Sequence, residues 1–311
     1  MDFLSIRLNT VRPGILVPFN VYIKVADSFK HYLNEGDDFD QVRFDKLKSK
    51  GLKKFHIQQA DEIKYQEFLS SILDNIHLES NDVKISIALD VSENSAQAIM
   101  VNPANEKSYS MAKSSSEIVH KVLADNDVIL RQMVAQGRNS NSNLAERMQG
   151  HLVNTASIAI KFAATLKTNI NISSLGTAAF YHDVSFTQYS SEEQKFFFKE
   201  IKSMSVGELS IYKTHPEKSV MTLQDKSFAE PEVLALIMAH EENLSGVGFP
   251  KKLTKLTQTQ EILSLCAFYD REVSCLGKDP LTIYENIIID QVGNYSLDLL
   301  KKFKTFMKSY L

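Results

Sequence analysis

The sequence predicts a mainly α protein: an all-helical C-terminal domain, preceded by a small N-terminal α/β domain and connecting helices. Three observations carry this. Period-two apolar runs gather before about residue 80. Beyond it, long segments place apolar residues three and four apart, as an amphipathic helix requires. A polar Gly/Ser/Asn-rich stretch, Gln136 to Asn143, then separates two groups of helices. The expected boundaries are 1–80 for an α/β accessory domain, 81–144 for a helical connector and 145–311 for the main helical domain.

In the first part, Phe3 to Leu8 alternates like a half-buried strand, and Arg12-Pro13-Gly14 supplies a turn. Val21, Ile23 and Val25 repeat every second residue, a second strand. Phe44, Leu47 and Leu52 fit a short helix ended near Gly51, with a strand at Lys54 to Ile57. Asp61 caps a helix whose apolar face would hold Ile63, Phe68, Leu69, Ile72 and Leu73. No phosphate loop or ligand cluster occurs here, and His31, His56 and His77 read as surface or packing residues. A sensing or docking role, with a signalling protein as partner, is the expectation for this domain.

The connector shows helical periodicity over Val83 to Val101 and Ser115 to Val134, with a break at Asn102-Pro103. In the main domain, His151 opens a helix running to Leu166, and Leu175 to Tyr181 is a second. Ser205 to Glu208 lead into a third, which reaches Thr214-His215-Pro216. Pro231 suits the first turn of a fourth, ending at His240-Glu241. A glycine-containing loop through Pro250 precedes a long helix, about Thr259 to Val273, that carries Asp270.

Composition limits the classes of function. The formal net charge of −3 over 311 residues gives no basic field for duplex nucleic acid. No run approaches the roughly 20 apolar residues of a membrane span, and the N-terminus lacks a signal-peptide pattern. Two cysteines, Cys266 and Cys275, make a poor disulfide framework, so a cytoplasmic setting is expected. The informative feature is an ordered series of His151, His182-Asp183, His215, His240-Glu241 and Asp270, which takes four of the eight histidines. Imidazoles and carboxylates converging from several helices are what a borderline metal ion requires.

The series resembles the HD-GYP branch of the HD metal-dependent phosphohydrolases over roughly residues 145 to 285. The resemblance is carried by His151, His182-Asp183, Thr214-His215-Pro216, His240-Glu241-Glu242, Gly246 to Pro250, and Asp270 followed by Asp279-Pro280. It implies an HD-type all-helical domain that binds two or three metal ions, most often iron or manganese, and hydrolyses cyclic di-GMP to the linear dinucleotide or GMP. The chain also departs from the pattern. Ser185 and Phe186 replace the glycine and lysine after the HD pair, Glu241 replaces a histidine, and Phe249 replaces the tyrosine of Gly-Tyr-Pro. Ser245 replaces the loop aspartate. Arg147 stands where three-metal members have a glutamate, so two metals are expected.

On ligand chemistry, Asp183 is expected to bridge two cations at the roughly 3.5–4 Å of a two-metal site, with a metal-bound water as nucleophile. His151, His182 and Asp270 would hold one ion; His215, His240 and Glu241 would hold the other. Such nitrogen and oxygen donors suit iron, or alternatively manganese, although zinc also accepts them. Gly248, Phe249, Pro250, Lys251 and Lys252 are the candidate substrate contacts, Phe249 either stacking on a base or closing its loop. The Phe196-Phe197-Phe198 run is read as a lid or as core. Three functions follow: an active phosphodiesterase, a metal-containing cyclic di-GMP receptor of weak or no turnover, and a protein-interaction module.

Overall fold

A computed structural model describes all residues except 1, 2, 12, 75, 125, 126 and 138–142, and the backbone alone at 70, 127, 136, 137 and 310. It is mainly helical with a small N-terminal antiparallel sheet. The chain divides into two compact units, residues 1–94 and 95–311. The division falls within a long helix.

In the first unit, β1 (Phe3–Arg7), β2 (Val21–Val25), β3 (Ser28–Leu33) and β4 (Lys54–Gln58) form a sheet of order β1-β4-β2-β3, with every pairing antiparallel. Phe55 and Ile57 of β4 are fully buried while their neighbours are half-buried, the alternation a one-faced sheet demands. β3 is an addition to the expected elements. It follows β2 through Ala26-Asp27, with Ala26 at φ 50°, a turn without the Gly or Asn that makes hairpins legible. Helix α1 (Gln41–Ser49) is capped by the Asp40 carboxylate, which accepts from the Arg43 amide. Helix α2 (Glu62–Leu73) buries Tyr65, Phe68, Leu69, Ile72 and Leu73, whereas Ile63, expected on this face, is 73% exposed. Helix α3 (Asn81–Val101) contributes the buried Asp90, whose carboxylate accepts from the Arg7 amide, the Thr10 hydroxyl and the Tyr65 hydroxyl.

In the second unit, α4 (Glu106–Leu123) and α5 (Asp127–Gly137) are two helices where one periodic stretch was expected. Helix α6 (Leu144–Thr165) is buried almost all round from His151 to Ala163 and packs against α4, α5 and the next helix, α7 (Ile172–Tyr181). Its start lies two turns before the expected His151, because Asn143 and Glu146 form a reciprocal capping box. Gly176 lets α7 lie close: a Cβ there would meet Ser116 Oγ at 2.4 Å and Ile160 Cδ1 at 2.8 Å.

The rest surrounds this pair. Helix α8 (Ser191–Gln194) leads into a tight turn over Lys195–Phe198. The expected third helix is two, α9 (Val206–Tyr212) and α10 (His215–Met221), with Pro216 in the first turn of the second. Helices α11 (Pro231–Ala239) and α12 (Gln258–Asp270) flank the glycine-containing loop, and α12 relaxes into a π-helical turn over Arg271–Cys275. Helices α13 (Pro280–Gln291) and α14 (Leu297–Tyr310) close the unit, α14 burying Leu299, Leu300, Phe303 and Met307. Among the described residues, no helix is long and apolar enough to cross a membrane. Cys266 and Cys275 are buried free thiols.

Candidate metal centre

Four helix positions converge on one buried point. His151 lies on the inner face of α6, and His182 and Asp183 follow the last turn of α7. His215 opens α10, and His240 caps α11. All five side chains are almost wholly buried. Their donor atoms form two groups, His151 with His182 and Asp183, and Asp183 with His215 and His240, each within 4.8 Å.

Asp183 joins the groups through its two oxygens. Oδ2 lies 3.6 Å from His151 Nε2 and 3.5 Å from His182 Nε2. Oδ1 lies 3.2 Å from His215 Nε2 and 3.4 Å from His240 Nε2. Glu241 approaches the second group, with Oε1 at 3.6 Å from His215 Nε2, and the Tyr212 hydroxyl donates to that same oxygen at 2.7 Å.

The outer nitrogen of each ring fixes its tautomer. Nδ1 of His182, His215 and His240 faces the carbonyl oxygens of Ala179, Tyr212 and Ile237 at 2.7–2.8 Å. Nδ1 of His151 faces Asp270 Oδ2 at 2.8 Å. Carbonyl and carboxylate oxygens accept, so each Nδ1 is placed to carry a proton, and a ring in that neutral tautomer turns an Nε2 lone pair inward. Those lone pairs meet in pairs, 3.1 Å apart for His151 and His182 and 2.9 Å for His215 and His240. Asp183 Oδ1 is buried and makes no hydrogen bond among the described residues. Lone pairs facing each other beside a bare carboxylate oxygen repel; a cation between them removes the conflict. The donor set therefore fits metal ions.

Burial pulls His182 down to about 3 and also lowers His215. For Asp183 burial acts upward, but His182, His215 and His240 outweigh it and hold the carboxyl well below its ordinary value. Neutral imidazoles around an ionised carboxylate are the protonation state a metal site needs. His240 alone shifts up: burial opposes the charge, and the Asp183 carboxylate overcomes it. The field that draws a proton there also draws a metal ion.

Asp270 stands behind His151, its Oδ1 accepting from Ser274 at 2.8 Å. It is outside both donor groups. The positions of α12 that line the adjoining cavity are Ser264, Ala267 and Phe268, and Asp270 is not among them. That cavity, of about 470 Å³, opens directly on His151, His182, Asp183, His240 and Glu241.

No family model and no curated protein matches the sequence. Among solved structures, the chain is similar to Bd1817, a HDG"Y"P protein from Bdellovibrio bacteriovorus. The two are 25% identical, the match covers 99% of this chain and 100% of that one, and the TM-score is 0.69. With the buried His/Asp groups, this bears out the resemblance read from the motifs. In its fold and in its buried His/Asp groups the chain is similar to an HD-GYP protein.

The residues that depart from the HD-GYP pattern have structural roles. Phe186 is buried against Phe197 and Phe198, and Phe197 itself packs on Tyr212 and His215. Phe197 is thus core, while Phe196 and Phe198 are half-buried. The Ser185 hydroxyl donates to the carbonyl of His215 at 3.0 Å, pinning the backbone that carries that ligand candidate. Arg147 lies over the Phe198 ring at 4.4 Å and donates to the Cys275 carbonyl.

The candidate substrate contacts divide. Gly248 and Phe249 line the cavity, whereas Pro250, Lys251 and Lys252 do not, and both lysines are exposed. Buried Glu242 accepts from the Leu253 amide at 2.8 Å and also from the Lys251 amide, stapling the loop. Phe249 packs edge-on to Tyr212 and His215. The cavity's cations are instead Lys202, Lys213, Arg271 and Lys278, all from outside that loop. Tyr212 and Arg271 escaped the sequence reading because neither belongs to the histidine series. The only signal was adjacency, Arg271 beside Asp270 and Tyr212 three residues before His215.

Proposed function

We propose that this protein is a metal-dependent phosphodiesterase that hydrolyses cyclic di-GMP to the linear dinucleotide or GMP. The observation that carries the reading is the pair of half-sites sharing Asp183, each with two inward Nε2 atoms. In this reading His151, His182 and Asp183 Oδ2 hold one ion; His215, His240, Asp183 Oδ1 and Glu241 hold the other. Asp270 orients His151, since it engages the nitrogen opposite the site. Nitrogen and oxygen donors, with neither cysteine in a donor group among the described residues, favour iron or manganese. When bound, two such cations supply Lewis-acid stabilisation of the phosphoryl oxygens and acidify a water.

The chain's own residues do the rest. Tyr212 fixes Glu241 by its hydrogen bond, so the more exposed carboxylate enters the site in one orientation. Phe249 and Phe268 give the cavity an apolar wall, and the lysines and Arg271 give it positive charge, a combination suited to a base next to a phosphate. The reading carries with it a cytoplasmic site of action and a signalling role for the N-terminal unit.

A second reading, a receptor that holds the dinucleotide with little turnover, is favoured by Phe186. It is buried in aromatic core where the family carries a lysine, and it has no proton to give. The test is turnover of cyclic di-GMP by protein loaded with iron or manganese under anaerobic conditions. Linear product that disappears with Asp183→Ala supports the phosphodiesterase; tight binding without product moves the assignment to the receptor.

A further inference from the structure

We propose that Arg271 is the cation that receives the phosphodiester in this chain, doing from the π-helical turn after α12 the work that position 186 cannot do. The inference rests on the phosphodiester reading above and concerns one residue's role within it. Four cationic side chains line the cavity: Lys202, Lys213, Arg271 and Lys278. Two are already neutralised. Lys278 pairs with Glu272 at 2.5 Å and with Glu200 at 3.2 Å, and Lys202 pairs with Glu200 at 3.2 Å. Arg271 and Lys213 have no carboxylate in ion-pair contact among the described residues. Lys213 lies over the Phe249 ring at 5.7 Å.

Arg271 is the more constrained of the pair. Its guanidinium lies over the Tyr212 ring at 5.2 Å, and one Nη donates to the Lys199 carbonyl at 2.7 Å. Its Nε is shut off from solvent and has no hydrogen-bond partner among the described residues. A charged group with a buried, unanswered donor is costly unless an anion completes it. Guanidinium presents a planar fork that matches two phosphoryl oxygens, which an ammonium does not. The position suits that task. Arg271 follows Asp270, which faces His151, and stacks on Tyr212, which donates to Glu241. The guanidinium thus lines the same cavity that opens on His151, His182, Asp183, His240 and Glu241, without belonging to either donor group. Lys213, in the lining of the same cavity, is the second charge without an ion pair among the described residues.

The test compares metal-loaded full-length wild type with Arg271→Gln and Arg271→Lys. Metal content and thermal unfolding are measured first, then binding of inorganic phosphate and of cyclic di-GMP, then turnover. Metal content should be equal in all three. Phosphate binding should weaken at least tenfold in Arg271→Gln, with Arg271→Lys in between. Equal phosphate binding by wild type and Arg271→Gln overturns the assignment, as does wild type that binds no phosphate. Loss of metal in Arg271→Gln also overturns it, because the role would then be structural. If phosphate binding depends on Arg271 while cyclic di-GMP is neither bound nor cleaved, the substrate assignment fails and the role of Arg271 stands.

Discussion

His215 and His240 face each other through Nε2 atoms 2.9 Å apart, while their Nδ1 atoms each donate to a carbonyl at 2.7 Å, from Tyr212 and Ile237. Neither ring can change tautomer without losing its backbone partner, so the two lone pairs are locked toward one point. Asp183 Oδ1 completes that point at 3.2 and 3.4 Å. The second half-site repeats the arrangement with His151 and His182, Asp270 taking the place of one carbonyl. The helices enforce it. Each carbonyl belongs to the residue three before its histidine, at the close of a helix or the turn after one, where unsatisfied carbonyls are available.

Asp270 separates two views of the centre. As an orienting partner of His151, its change to Asn should leave both metals bound at saturation. Affinity for the ion on the His151 side should fall about 10- to 100-fold. Metal titration of Asp270→Asn checks this. Outright loss of one ion at saturating metal would make Asp270 a direct ligand.

Gly248 is fixed by its surroundings. A Cβ at this position would stand 2.6 Å from Glu242 Cα, 2.7 Å from the Glu241 carbonyl oxygen and 2.8 Å from the Asn243 amide. All three are backbone atoms, and they belong to the segment that presents Glu241. Gly248→Ala should therefore cost about 1–3 kcal/mol of stability and displace Glu241. Thermal unfolding with metal titration reads both effects. An unchanged melting temperature with unchanged metal affinity would contradict the packing described.

How much of this was legible in the sequence follows from what carries each signal. The histidine series was legible because metal donors are few residue types at ordered spacings. Bridging by Asp183 was expected, and its two oxygens do face the two histidine pairs. Asp270 was read from its place in a buried helix, but periodicity does not say which ring nitrogen a carboxylate meets. Strand β3 was missed because Ala26-Asp27 carries no hairpin composition. Ile63 fitted the helical spacing yet faces solvent, since α2 buries the stripe through Tyr65 and Phe68 instead. Arg271 and Lys213 reach the cavity only through tertiary packing, whereas Lys251 and Lys252, adjacent in sequence to the glycine loop, point to solvent.

In the N-terminal unit, burial pushes Asp90 up to about 7, against the Arg7 amide and Thr10 hydroxyl that pull it down. A folded-state value above the ordinary 3.8 means that the folded unit holds a proton the unfolded chain has released. Stability from this group is complete below about pH 4 and is lost as pH rises through about 7, by at most about 4 kcal/mol. Urea unfolding at pH 5 and pH 8 should show the decline, and Asp90→Asn should flatten it. Parallel profiles for wild type and Asp90→Asn would sink this account.

The most direct test of the centre is metal content after anaerobic purification and reloading, wild type beside Asp183→Ala. The shared carboxylate predicts about two ions per chain in wild type and almost none in the folded variant, because one side chain serves both half-sites. A wild type that takes up no metal, or an Asp183→Ala protein that keeps both ions, would contradict it.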